Sequence, residues 1–281
     1  MAEDNTDQIT EWNGVLGERW AQMQAETDRL IAPFGEAALK AANPQPGERV
    51  LDIGCGCGDT SLALARLAGP DGAVLGVDVS RPMLEVAKAR TAREGMKTLA
   101  FREADASTAD LPAAQDLIYS RFGVMFFAAP VPAFAHMRRA LKDNGRLAFV
   151  CWQAPRENPW AMIPVSAGRA AIGMPPAGTD PHAPGPFAFA DADRVRMILL
   201  EANFRDVDAA PFIAPMYMGA TARAAAEQAA RMGPLGRVVR ESAPERLPEI
   251  LDAVEAALKP HETAAGVHLR GAVWIVTARA G

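Results

Sequence analysis

The stretch Val50-Leu-Asp-Ile-Gly-Cys-Gly-Cys-Gly-Asp-Thr60 decides the fold. Its first four residues are apolar apart from Asp52, and β-branched Val50 and Ile53 favour a buried strand. Three glycines follow at alternate positions, Gly54, Gly56 and Gly58, and a helix-compatible run begins near Thr60. A glycine loop between strand and helix lets the backbone approach a ligand at the carboxyl end of a sheet. Val74-Leu-Gly-Val-Asp78 then reads as a second strand ending in an acid, 24 residues after Gly54. A carboxylate there is placed to take the two hydroxyls of a ribose. The dinucleotide pattern G-x-G-x-x-G fails, because the position of its third glycine is held by Asp59.

Working outward, strands and helices alternate. A helix runs from Pro82 to about Glu94, a short strand covers Leu99–Phe101, and a fourth strand covers Asp116–Ser120. An amphipathic helix is expected over Pro130–Leu141, a turn at Asp143-Asn-Gly145, and a fifth strand over 146–152. This rhythm argues for an α/β fold with a mostly parallel sheet and right-handed crossovers. Before it, residues 1–11 read as a frayed tail, and 12–42 as helical, with Pro33 marking a break or a new start. After Trp152 the rhythm stops. Residues 153–190 hold eight prolines and read as a lid or binding insert with a helix near 160–172. A helix at Asp191–Ala202 and a strand at Asp206–Phe212 resume the pattern, and 213–242 form a second insert. A helix over about Pro244–Leu258 and a strand over Leu269–Ala278 complete it. The expected division is a helical cover over 1–45 and a main domain over 46–281 carrying both inserts.

A net charge of -5, with no basic cluster longer than pairs such as Arg138-Arg139, argues against a nucleic-acid surface. No apolar run approaches the roughly 20 residues that span a membrane, and the acidic, polar start is the reverse of a secretory signal. Three cysteines make no disulfide framework, so a reducing cytoplasm is expected. Cys55-x-Cys57 offers too few ligands for a zinc site, so no metal is expected and the two thiols read as small packing groups.

The glycine loop, the preceding Leu51-Asp52 and the distant Asp78 resemble the first motifs of the class I S-adenosylmethionine-dependent methyltransferases. Within that family the chain looks most like the small-molecule branch that includes the ubiquinone/menaquinone-type enzymes. The resemblance implies a doubly wound, Rossmann-like seven-stranded sheet in the order 3-2-1-4-5-7-6 with one antiparallel strand. It implies S-adenosyl-L-methionine as cofactor and S-adenosyl-L-homocysteine as product. On the same ground Asp52 holds the loop near the cofactor's amino group, and Gly54, Gly56 and Gly58 line the methionine portion. Asp78 and Val79 meet the ribose end, Met83 packs on the adenine, and Asp105 and Ala106 meet the adenine edge, with Asp105 facing its exocyclic amine. Ser120 contacts the methionine end. Met83 as an ordinary core residue and Asp105 as a solvent-facing loop acid are the plain alternatives. Trp20 either packs the first helices onto the domain or closes over the cofactor.

Arg121 is open between a substrate carboxylate, the cofactor's carboxylate and an ordinary acid partner. With His182 in the first insert, it is one of two catalytic candidates. Phe122, Phe126 and Phe127 crowd one short loop and suggest an apolar wall, with Trp160, Phe187, Met216 and Tyr217 as further wall candidates. The expected reaction is in-line methyl transfer to an apolar or aromatic small molecule. A protein or RNA methyltransferase, or a protein that binds adenosylmethionine without transferring methyl, are the alternatives. A homodimer is left open.

Overall fold

The computed structural model describes residues 5–175, 180–242 and 244–281. The chain divides into two compact units. The first comprises Met1–Trp152, His182–Phe212 and Val273–Gly281, and the second comprises Gln153–Pro181 and Ile213–Ala272.

The first unit is built on strands β1 (Arg49–Ile53), β2 (Ala73–Asp78), β3 (Leu99–Glu103), β4 (Gln115–Arg121) and β5 (Leu141–Trp152). They pair in parallel in the order β3-β2-β1-β4-β5. Beyond β5 come β8 (Gly266–Ala280), antiparallel to it, and then β6 (Phe204–Gly219). A two-residue strand β7 (Glu262–Thr263) also pairs with β8. Leaving β7 aside, the order is the expected 3-2-1-4-5-7-6. Strand order reverses between β1 and β4, and in sheets of this kind ligands bind at the carboxyl ends on either side of that point.

Helices α1 (Thr6–Asn13), α2 (Val15–Gln22) and α3 (Gln24–Ala42) precede the sheet. The expected break at Pro33 is absent. The breaks fall at Gly14 and Met23, and α3 runs through the proline. Ile31, Phe34, Ala38 and Ala42 recur at helical spacing and are all buried. An interior proline costs about 3 kcal/mol. Burying Ile31 and Phe34 contributes about 1.5–3 kcal/mol each, which offsets that cost. The Tyr119 hydroxyl donates to the Gly35 carbonyl at 3.3 Å and ties α3 to β4.

Crossover helices α4 (Asp59–Ala68), α5 (Arg81–Glu94) and α6 (Pro130–Arg138) follow their strands. Helix α6 ends earlier than expected, because strand pairing already starts at Leu141. The Asp143-Asn-Gly145 turn lies inside β5, where the register with β4 shifts between Gln115 and Leu117. Helix α8 (Ala192–Glu201) is capped by Asp191, whose carboxylate accepts the Asp193 N–H.

The second unit holds α7 (Pro159–Ala171), α9 (Ala222–Arg231), α10 (Gly233–Glu241) and α11 (Leu247–Leu258). Strand β6 runs to Gly219, well past the expected Phe212, so part of the anticipated second insert is strand. Helix α10 was not anticipated. It follows α9 after a single residue, Met232, which leaves no turn signal of ordinary length to read.

Candidate functional site

The site is assembled at the carboxyl ends of β1, β2, β3 and β4. Gly54, Gly56 and Gly58 all take positive φ, at 66°, 54° and 80°. A Cβ on Gly54 would lie 2.7 Å from the Gly123 Cα, so the loop after β1 meets the loop after β4 backbone to backbone. A Cβ on Gly56 would lie 2.8 Å from the Met83 Cε, which places the Met83 tip against the loop. Cys55 and Cys57 are buried, with Cys55 packed over Gly76. Burial pushes the Cys55 thiol well up and the Cys57 thiol up to about 12, so neither carries thiolate character. Among the described residues no His, Cys, Asp and Glu side chains gather to hold a metal ion.

Asp78 organises the loop. Its Oδ2 accepts the Gly56 N–H at 2.7 Å and its Oδ1 accepts the Ser80 N–H at 2.8 Å. The carboxylate keeps acceptor capacity beyond its backbone partners. Burial raises the Asp78 pKa, and the N–H groups of Ser80, Gly56 and Val79 pull against that rise. Asp52 is fully buried on β1. Its Oδ2 accepts the Thr60 and Ser61 hydroxyls at 2.8 and 2.5 Å, while its Oδ1 has no partner. Burial pushes its pKa up to about 6, and those two hydroxyls restrain the shift. The Ser120 hydroxyl, buried at the end of β4, also lacks a partner. Two buried polar atoms near the ends of the adjacent strands β1 and β4 are thus left without a hydrogen-bond partner.

Asp105 follows β3, and its neighbour Ala106 is buried. Both Asp105 oxygens accept the Asn5 side-chain N–H₂ group, at 3.0 and 3.1 Å. Nearby, the Val79 carbonyl accepts from the Asn13 side chain at 2.7 Å, and the Ser80 hydroxyl donates to the Trp12 carbonyl at 2.7 Å. The first residues are therefore not frayed from Asn5 onward. Helix α1 lies across the ends of β2 and β3, held by side-chain hydrogen bonds that an acidic, polar sequence does not advertise. Trp20 meets Trp12 edge-on at 5.5 Å, and Trp12 meets Phe126 at 5.3 Å.

Arg121 takes the third of its open alternatives. It pairs with Asp28 of α3 at 3.1 Å and Asp59 of α4 at 2.9 Å. Arg90 of α5 pairs with the same two acids at 3.0 and 3.1 Å and donates to the Cys57 carbonyl. Two arginines and two aspartates thus close a ring beneath the glycine loop. Burial works against the Arg121 cation, but Asp59 and Asp28 outweigh it and raise its pKa.

The three loop phenylalanines part company. Phe122, at φ 64°, stacks on Trp152 with centroids 4.4 Å apart, and Phe34 meets both rings edge-on. Phe126 turns to Trp12, and Phe127 to Phe134 of α6. Phe212 adds a further edge contact to Phe34 at 6.2 Å. Phe187 is half-buried and His182 exposed, both in the first unit. Trp160, Met216 and Tyr217 belong to the second unit. There the Trp160 indole donates to the Asn158 side chain at 3.0 Å, Met216 is buried, and Tyr217 packs against His268 at 5.3 Å.

Asn5, Asn13, Asp28, Arg90 and Gly123 carry much of this geometry and were not singled out from the sequence. Asn5 had a local signal, an asparagine in front of a helical run. The others are visible only once distant segments meet.

Residues 44–164 match the family model described as a methyltransferase domain. Aklanonic acid methyltransferase DauC of Streptomyces sp. (strain C5) is 34% identical over 133 residues, covering 46% of this chain and 60% of that protein. Nocamycin O-methyltransferase of Saccharothrix syringae is 28% identical over 149 residues, 52% of this chain and 53% of that protein. The chain thus spans little more than half the length of these curated relatives. Among solved structures, the YcgJ protein of Bacillus subtilis superposes with a TM-score of 0.58 at 17% identity, over 87% of this chain and 97% of that one. That likeness concerns the fold alone. Over residues 44–164 the chain is thus similar to methyltransferase domains, and the two curated relatives it matches there are named as methyltransferases.

Proposed function

We propose that the chain binds S-adenosylmethionine across the ends of β1, β2, β3 and β4 and transfers its methyl group to an apolar or aromatic small molecule. The observation that carries this reading is the pair of unsatisfied polar atoms, Asp52 Oδ1 and Ser120 Oγ, together with a glycine loop that has no room for side chains. The residues fit the cofactor. Asp78 has acceptor capacity to spare for a ribose hydroxyl, Asp52 and Ser120 carry polar atoms without a partner, and Met83 offers an apolar surface for a base. Bound there, the sulfonium supplies an already activated methyl group and a neutral leaving group.

What remains for the protein is alignment and exclusion of water. The first three helices serve as a cover in this reading. Half-buried Phe122, backed by the buried Trp152 and Phe34, supplies an apolar surface next to the glycine loop, which suits a carbon-rich acceptor better than a polyanion. Acids dominate the surroundings of the loop, and the two nearby arginines are already paired with them. The two curated relatives are named for small molecules, which supports the same acceptor class. No described helix is long and apolar enough to cross a membrane. The buried, unpaired thiols suit a reducing compartment, and we place the protein in the cytoplasm on that basis.

Calorimetry with S-adenosylhomocysteine tests the cofactor reading. Asp78→Ala removes charge-assisted hydrogen bonds worth about 1.5–3 kcal/mol each, so binding weakens at least about tenfold. Unchanged affinity in that variant refutes the assignment. Incubation with adenosylmethionine and panels of aromatic hydroxy compounds, read as a gain of one methyl by mass spectrometry, tests transfer. Binding with no methylated product from any panel favours a protein that holds the cofactor for another purpose.

A further inference from the structure

We infer that Asn5 is a positioning residue for recognition of the adenine base, acting through Asp105; this rests on the cofactor reading above. Asn5 stands directly before α1, where asparagine ordinarily accepts a hydrogen bond from the helix's own first turn. Its side chain makes no such bond. It is spent instead on distant partners. The amide nitrogen donates to both Asp105 oxygens and to the Ser107 hydroxyl at 3.1 Å, and the amide oxygen accepts the Ala128 N–H at 2.8 Å. The residue is 8% exposed. One carboxamide therefore clasps the loop after β3 to the loop after β4 and closes the start of α1 over both.

The acceptor inventory of Asp105 shows what the clasp leaves available. Oδ1 takes Asn5 and the Ser107 N–H at 2.9 Å, which fills its two directions, whereas Oδ2 takes Asn5 alone. A carboxylate pinned in this way presents one oxygen, in one orientation, to one further donor. An exocyclic amine on a purine is such a donor. One turn along α1, on the same face, Gln8 buries a side-chain oxygen with no partner, a second acceptor left unsatisfied in this segment. Without Asn5 the Asp105 side chain is free to rotate toward water, and its preference for an amine weakens.

The test is the preference of the full-length chain for S-adenosylhomocysteine over its analogue with hydrogen in place of the exocyclic amine, measured by calorimetry. The wild type prefers the amine-bearing ligand, and Asn5→Ala reduces that preference about tenfold while affinity for the analogue stays nearly constant. Asn5→Asp keeps the shape and the contact to Ala128 but sets an acceptor against Asp105, so it loses the preference further. It also serves if the alanine variant folds poorly. In an Asp105→Ala background, Asn5→Ala changes nothing more, as expected of residues acting as one unit. Equal weakening of both ligands by Asn5→Ala, or additive effects with Asp105→Ala, overturns the inference in favour of a merely structural clasp. Tighter binding of the amine-bearing ligand in Asn5→Ala also overturns it, since the carboxamide would then compete for Asp105. A wild type that binds both ligands equally well, and is weakened for both by Asp78→Ala, removes the role of Asp105 but leaves the cofactor reading standing. A wild type that binds neither removes both.

Discussion

Asp52 shows how a single buried carboxyl records the chemistry of its site. Its pKa of about 6 lies above that of an unfolded aspartate, so the native state holds a proton that the unfolded chain releases. Stability contributed in this way is complete below about pH 4 and is lost as pH rises through 6. The shift amounts to about 3 kcal/mol, and it should appear in urea unfolding between pH 4 and 7 as a fall in wild-type stability relative to Asp52→Asn. Parallel profiles for the two proteins refute the assignment. Gly123 makes a sharper case. An alanine there would set its Cβ 2.8 Å from the Gly54 Cα and 2.9 Å from the Ile53 carbonyl oxygen. Both neighbours are backbone and cannot move aside as a side chain would. Gly123→Ala should cost about 1–3 kcal/mol in denaturant unfolding and weaken S-adenosylhomocysteine binding, because the strain falls on the glycine loop itself.

At the scale of elements, the Arg121–Asp28–Arg90–Asp59 ring joins α3, α4, α5 and β4 beneath the site. Its side chains are 10–35% exposed, so they are screened less than a surface pair. Replacing Arg121 by methionine keeps the bulk but leaves two aspartates facing a single arginine. A loss of about 3 kcal/mol is expected by chemical denaturation, and a double-mutant cycle with Asp28→Asn should show strong coupling. A change under about 0.5 kcal/mol would mean that the ring behaves like an exposed pair. The elements of the alternating core were legible because their signals are local: β-branched runs, helix starts at proline, glycine at turns. Where boundaries slipped, the deciding interaction was distant. Pro33 reads as a breaker in sequence, yet the buried face of α3 overrides it. Strand β6 extends past Phe212 because pairing with β8, not its own composition, sets its length.

For the whole molecule, the donor side was far more legible than the acceptor side. A glycine loop, an acid ending β2 and an acid after β3 sit within a few dozen residues of one another, and the sheet brings their ends together by topology alone. The cover over them depends on carboxamides and arginines that meet across a hundred residues, and no spacing rule reports such pairs. Ligand linkage gives a test on the intact protein. At about one hundred times its dissociation constant, S-adenosylhomocysteine should stabilise the folded state by about 2.7 kcal/mol and raise the melting temperature accordingly. No shift at saturating ligand would contradict binding to the native fold.

The buried cysteines give the protein a built-in clock. Cys55 and Cys57 lie in the glycine loop and Cys151 in the centre of the sheet, and burial suppresses the thiolate of all three. Alkylation by iodoacetamide requires thiolate and access, so it proceeds only when the surrounding structure opens. The loop thiols then time local breathing of the site, while Cys151 times unfolding of the sheet. A ligand seated on the loop should slow the first pair more than the third.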